Sequence, residues 1–293
     1  MSKLKYFLLA GFMMVSCVKA SEEAKDASKE AVATKEIVAL KEEDTTKKTD
    51  TYKEIDRFKD VDASVVQTIY QTLLDMHDFF TLFDIKYFIT EETLLGAVRH
   101  KGLIPWEENL SLCMFQSDQE KFLKLVPVLR SMGYEVVGMY YGFKIYSTKA
   151  ASIEGYPWKF PGCDIFMMNT DGQKMFNMWR LRKEKNRNIE IDLSDILPLR
   201  KYTFGTLIVY GPRNPAPILK ESYGEQYLTL ASKWYDHANE KGLKKGYKQI
   251  FKTLEDEDFR HLSPQEPLVH SLVSTSLIYW PLDFVDTYPH ASW

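Results

Sequence analysis

Glu92–Phe115, ETLLGAVRHKGLIPWEENLSLCMF, is the stretch from which the rest of the chain can be read. Thr93 to Val98 has the apolar density of one buried helical turn, and a basic pair, Arg99 and His100, follows it. Next comes a Gly-Leu-Ile-Pro-Trp corner. Pro105 fixes its own φ and biases Ile104 toward extended geometry, so the chain turns rigidly there. A short apolar strand is expected beyond the corner. Alternation would put Glu107, Asn109, Ser111 and Cys113 on one face, and Glu108, Leu110, Leu112 and Met114 on the other. Helix, basic turn, rigid corner and acidic strand mouth form the layout of a phosphate-and-metal site.

On the N-terminal side, Val66, Ile69, Leu73, Met76 and Phe80 recur at three- and four-residue spacing, which predicts an amphipathic helix over Ala63 to Phe83. Ile85 to Thr90 is a strand candidate leading into the Glu92 turn. On the C-terminal side, Gln119 to Arg130 reads as a helix bent at Pro127. Tyr134 to Met139 and Phe143 to Ser147 read as a hairpin turning near Tyr141 and Gly142. Met175 to Asn188 reads as a basic helix carrying Trp179, Arg180, Arg182, Lys183, Lys185 and Arg187: a solvated face or a positive rim for phosphate. Ile196 to Arg200 and Tyr202 to Tyr210 read as a strand pair turning near Gly205.

Phe160 to Met168 is the second informative stretch. Asp164 lies there among apolar residues in a short strand, an expensive place for a carboxylate unless a metal or hydrogen bonds receive it. It could also simply cap the Pro161–Gly162 turn.

The ends of the chain differ in character. Residues 1–20 have a Lys3/Lys5 start, an apolar run from Tyr6 to Val15 and a small-residue end, the pattern of a signal peptide cleaved after Ala20. Lipidation at Cys17 and an uncleaved anchor are the alternatives. Residues 21–58, rich in Lys, Glu, Asp, Ala and Thr, read as a charged, disordered tether. The globular domain is expected over 59–240. Residues 241–293, ending in the aromatic Tyr279, Trp280, Phe284 and Trp293, are expected to be an extension packed on it. With 293 residues, 45% of them hydrophobic, a sizeable core is available. A net charge of −3 and a pI near 6.1 give no case for a nucleic-acid partner. No transmembrane span is expected after signal cleavage. The location implied is the secretory pathway (secreted or Golgi lumen), or the periplasm or cell envelope of a bacterium.

Thr93, Leu94, Leu95, Gly96 and Arg99, followed by Ile104, Pro105 and Trp106, resemble the signature of the LicD/fukutin family. Its members move a phospho-alcohol from a CDP carrier to a sugar hydroxyl on a nucleotidyltransferase fold. Gly211 to Gly224 resembles the family's closing segment and extends the likeness over most of Val61 to Trp234. The resemblance implies an α+β class, a nucleotidyltransferase-like mixed β-sheet flanked by helices. It also implies a site in which Asp164, Glu107, Asn109 and Ser111 stand at catalytic positions and Thr93, Gly96, Arg99, His100 and Trp106 at substrate-binding ones.

Where the family has Asp-x-Asp as ligands for the metal, this chain has Asn109 and Ser111, and where the family has Gly before Thr93 it has Glu92. Losing two carboxylates removes most of the attraction for Mg²⁺ or Mn²⁺. Asp164 and Glu107 remain as weak metal ligands, if any metal is held. Two functions follow. One is a degenerate scaffold that binds a nucleotide, a glycan or a homologous partner and needs no cofactor. The other is an active phosphotransferase that uses Mg²⁺ or Mn²⁺ and a CDP-linked donor. In the active phosphotransferase Arg99 would contact a phosphate; otherwise it is expected to pair with Glu107 or Glu108 at the corner.

Cys113 and Cys163 are expected as free buried thiols, because they would point to opposite sides of the sheet. Asn109-Leu110-Ser111 forms a glycosylation sequon, expected to stay unmodified because it opens a buried strand.

Overall fold

The computed structural model describes residues 58–177, 190–233, 235–242 and 250–274. The chain divides into Met1–Asp56 and Arg57–Trp293, and all described residues lie in the second unit. The expected signal peptide and nearly all of the tether, together with the aromatic tail beyond residue 274, fall outside the described residues.

Helix α1 (Ala63–Leu82) buries Val66, Ile69, Tyr70, Leu73, Met76, Phe79 and Phe80, the stripe that its spacing predicts. Strand β1 (Tyr87–Ile89) leads into a short helix α2 (Glu91–Leu95), which widens into a π-type turn over Gly96–His100. Gly96 is needed at that turn: a Cβ there would stand 2.5 Å from the carbonyl oxygen of Gly102. After the corner come β2 (Leu110–Phe115), α3 (Gln119–Ser131, with Pro127 inside it) and the hairpin β3 (Tyr134–Met139) and β4 (Gly142–Ser152). Strand β5 (Lys159–Thr170) is long enough to serve two sets of neighbours. Its first part pairs with β2 and β4, and its end pairs with β6 (Lys174–Asn177), which in turn pairs with β7 (Glu190–Asp192).

These strands form a seven-stranded sheet with the path β1-β2-β5-β4-β3. The β2–β5 pair is parallel and its neighbours are antiparallel, so the sheet is mixed and the class is α+β, as expected. Helix α1 lies on β4 and β5. The register places Ser111 of β2 opposite Asp164 of β5, and Asp164 opposite Lys144 of β4. A hydroxyl, a carboxylate and an ammonium therefore line up across adjacent strands. Cys163 takes the other face of β5, beside Tyr134, and both it and Cys113 are free, buried thiols.

Two expectations are corrected. The helix over Met175 to Asn188 begins instead as strand β6, where exposed and buried positions alternate with a period of two. Residues 178–189 lie outside the described residues. The strand expected from Ile196 is delayed. Ile196 ends a short helix α4 (Leu193–Ile196), and the pair begins at β8 (Arg200–Phe204) and returns as β9 (Leu207–Gly211). Gly205, at φ +57°, makes the turn against the Tyr70 ring.

Beyond α5 (Ala216–Tyr223), strand β10 (Leu230–Lys233) pairs with β13 (Ile250–Thr253). The short pair β11 (Tyr235–Asp236) and β12 (Lys241–Gly242) lies between them. The last described segment is laced to α1. Gln67 and Gln71, one helical turn apart, each exchange two hydrogen bonds with a backbone residue, Glu266 and Val269 respectively. Tyr70 donates to the Leu262 carbonyl at 2.7 Å, and α6 (Ser271–Ser274) packs on the same helix.

Candidate functional site

Asp164 is the centre of the site. It is buried, and both carboxylate oxygens are engaged. Asn109 Nδ2 donates to Oδ2 at 2.8 Å, the Tyr141 hydroxyl donates to Oδ1, and Lys144 Nζ lies 3.0 Å from the same Oδ1. Lys144, with only 4% of its side chain exposed, also stands 3.6 Å from Glu240 Oε1. Glu240 is fixed in turn by Trp158 Nε1 at 2.6 Å and by the Tyr235 hydroxyl at 3.0 Å. A buried charge needs this pairing, since desolvation otherwise costs several kcal/mol per ion (about that order). The carboxylate is thus held by hydrogen bonds and an ion pair, and Asp164 does more than cap a turn.

Acidic groups gather beside it. Glu92, in the first turn of α2, has its carboxyl pushed up by burial and also by the Asp164 charge. Glu107 is pushed up to about 8, first by burial and then by Glu92, with Lys233 opposing the shift. Glu108 is raised by burial and held at 3.7 Å from Lys233 Nζ, while its Oε1 accepts from the His237 backbone N–H. Burial drives His237 down to about 4, with Lys144 adding to the effect, so its ring is neutral at pH 7. Asn109 Oδ1 and His237 Nδ1 are buried without a hydrogen-bond partner among the described residues. The Tyr223 hydroxyl lies beside the Glu92 carboxyl, whose charge helps raise it.

The sequence-derived residues separate into two groups. Asn109, Ser111 and Asp164 come together, with Glu107 at their margin. The strand starts only at Leu110, so Glu107 to Asn109 belong to the end of the corner, and alternation does not govern them. Thr93 supports the strand: its Oγ1 accepts from the Ser111 N–H at 2.9 Å. Gly96 serves the close approach of the turn. Trp106 is buried, edge-on to Phe58 and His100. His100 lies under Phe259 and Trp106, its ring driven down to about 3 mainly by burial.

The pairing of Arg99 with Glu107 or Glu108 is corrected. Its guanidinium donates to the carbonyls of Tyr227 at 2.7 Å and Leu230 at 3.2 Å, where the chain enters β10. The Asn109 sequon is buried, with the side-chain nitrogen donating to Asp164.

Sequence reading gave no role to Lys144, Tyr141, His237 or Glu240. For Lys144 a signal existed: Phe143-Lys-Ile is a strand whose alternation points the lysine away from the core side. Pairing with the Asp164 strand then makes it a counter-charge.

The residues present do not fit Mg²⁺ or Mn²⁺. Such ions need several oxygen ligands, mostly anionic, with free lone pairs. Here the Asp164 oxygens face N–H and O–H donors and an ammonium. Asn109 and Ser111 are neutral, and no group of three or more His, Cys, Asp or Glu side chains among the described residues is arranged for a metal.

The mixed sheet and its flanking helices define an α+β domain. Residues 84–214 match the family model described as LicD/FKTN/FKRP, nucleotidyltransferase domain, so the likeness read from Thr93 to Trp106 is shown. An uncharacterized protein of Rickettsia typhi is 30% identical over 158 residues, 54% of this chain and 46% of that protein. Lipopolysaccharide cholinephosphotransferase LicD of Haemophilus influenzae is 33% identical over 58 residues, 20% of this chain and 22% of that enzyme. The chain spans about half the length, or less, of the curated relatives it matches. Among solved structures, the lincomycin-bound lincosamide antibiotic adenylyltransferase LnuA is similar at a TM-score of 0.34 and 10% identity, over 53% of this chain and 82% of that one. That likeness is too slight to add to the family match. Among the described residues no helix is long and apolar enough to cross a membrane.

Proposed function

We propose that this chain is a catalytically degenerate LicD-type domain that binds the hydroxyl groups of a glycan in the secretory route or cell envelope. The observation that carries the reading is the pair of buried, unpartnered polar atoms on residues beside Asp164: Asn109 Oδ1 and His237 Nδ1. Buried polar atoms ordinarily have partners, so these await a ligand or ordered water. Their chemistry is that of neutral donors and acceptors, and Glu107, near 8, carries its proton at pH 7. Sugar hydroxyls match such groups. A nucleotide diphosphate matches them less well, because the cations present, Lys144 and Lys233, are already committed to Asp164 and Glu108 and leave no free positive charge for its phosphates.

Binding of the full-length chain to an immobilised panel of envelope glycans, in buffer containing EDTA, tests the reading. Retention that falls about tenfold or more with His237→Ala supports it. No glycan retained under any condition contradicts it.

The alternative is an active, metal-dependent phosphotransferase moving a phospho-alcohol from a CDP-linked donor to a glycan. The match to a cholinephosphotransferase favours it. It requires Mn²⁺-dependent consumption of the donor, which the degenerate reading does not allow. Association with a homologous partner protein, a further role for such a scaffold, would show as a heterocomplex in sizing experiments.

A further inference from the structure

The cation beside Asp164 is part of the polypeptide. Lys144 sits at a position built for positive charge: Asp164 Oδ1 at 3.0 Å, Glu240 Oε1 at 3.6 Å, and the Trp158 ring centroid at 5.9 Å. Two carboxylates and an aromatic face are what a buried cation requires in place of water. The second carboxylate is not free to swing away, because Trp158 and Tyr235 hold both of its oxygens. Neither is the lysine. Its backbone is paired with Asp164 across the β4–β5 ladder, so the ammonium is delivered to the carboxylate by strand register. Asn109 completes the arrangement by donating to the other Asp164 oxygen at 2.8 Å, a contact that an aspartate at 109 could not make.

We propose that the Lys144 ammonium is the resident cation of this site, standing in for a divalent ion, and that the site therefore works without metal. The charge it supplies is fixed, cannot be chelated, and leaves no coordination positions for phosphate oxygens. The proposal does not rest on which ligand the cleft binds. It concerns the charge that holds Asp164, and it stands or falls independently of glycan retention.

The test uses the full-length chain as wild type, Lys144→Met and Lys144→Arg, with Mn²⁺ binding read from the loss of the free-ion electron paramagnetic resonance signal. The wild type and Lys144→Arg should show no saturable binding up to about 1 mM Mn²⁺, a range that covers weak oxygen-ligand sites. Lys144→Met exposes Asp164, Glu240 and Asn109 Oδ1 to solvent ions, and should bind Mn²⁺ at least about tenfold more tightly than the wild type. Saturable binding by the wild type, or no gain in Lys144→Met, overturns the proposal.

Should Lys144→Met be recovered only unfolded, refolding it with and without Mn²⁺ or ethylammonium gives a second readout. A folded yield that rises severalfold with either cation, and does not rise for Lys144→Arg, supports the proposal. A yield indifferent to both cations overturns it.

Discussion

Two buried carboxylates lie on opposite sides of the sheet, and they are satisfied differently. Asp75, on α1, is 1% exposed and takes only neutral donors: the Tyr134 hydroxyl at 2.6 Å and the Ser271 N–H at 3.3 Å. Asp164 also takes a tyrosine hydroxyl, but adds an ammonium, a side-chain amide and neighbours with unused polar atoms. The first arrangement is closed, and ties the C-terminal segment to the body. The second is electrostatically balanced yet incomplete in hydrogen bonds. Closure fits a structural carboxylate, and the unused polar atoms around Asp164 are what the proposed binding role draws on.

The largest expected effect is at Lys144. Lys144→Met leaves Asp164 and Glu240 buried without their cation and should cost about 3–5 kcal/mol of stability at pH 7 in denaturant unfolding. Adding Asp164→Asn should return part of that loss, because the uncompensated charge is removed with its partner. Equal and additive losses would mean that the pair is not coupled, and the contrast with Asp75 would fail.

Two buried histidines shape the acid limb of stability. His100 is enclosed by aromatic rings and driven from 6.5 to about 3, and His237 in the cleft is driven to about 4. A depressed folded pKa contributes stability that is present above the unfolded value of 6.5 and is lost as pH falls toward the folded value. From pH 7 to pH 5, His100 alone should therefore cost about 2 kcal/mol, and His100→Phe should flatten that limb of the stability profile. A bound ligand should move the His237 resonances in an NMR titration and leave those of His100 in place.

Asp75→Asn should cost about 1–2 kcal/mol by weakening the hydrogen bonds from Tyr134 and Ser271, with ligand retention unchanged. Retention lost together with stability would tie the α1 side to the cleft. The smallest effect is expected at Arg99. Arg99→Ala removes donors to the Tyr227 and Leu230 carbonyls, and should lower stability by about 1 kcal/mol without altering retention. A clear loss of ligand binding at unchanged melting temperature would return Arg99 to the binding surface.

Much of the scaffold could be read from local pattern. The α1 stripe, the rigid corner at Pro105, the β3–β4 hairpin and the strand around Asp164 all follow from spacing and turn chemistry. Met175 to Asn177 misled because its basic and aromatic continuation suits either period, and only pairing with the end of β5 makes it a strand. Asp164, Asn109 and Ser111 were found through the family likeness, but their partners were not. Lys144 reaches Asp164 through strand register, and Glu240 and His237 come from a segment far along the chain. The alternative pairing of Arg99 with Glu107 or Glu108 failed for the same reason: the carbonyls it serves, at 227 and 230, have no local signature.

Isothermal titration of the full-length wild-type chain with Mn²⁺, alone and then in the presence of CDP, tests the central claim most directly. A cleft whose charge is already balanced by Lys144 should give only the heat of dilution in both titrations. Saturable, micromolar Mn²⁺ binding that tightens with CDP would contradict it, and would mean that the site still assembles a metal–nucleotide complex.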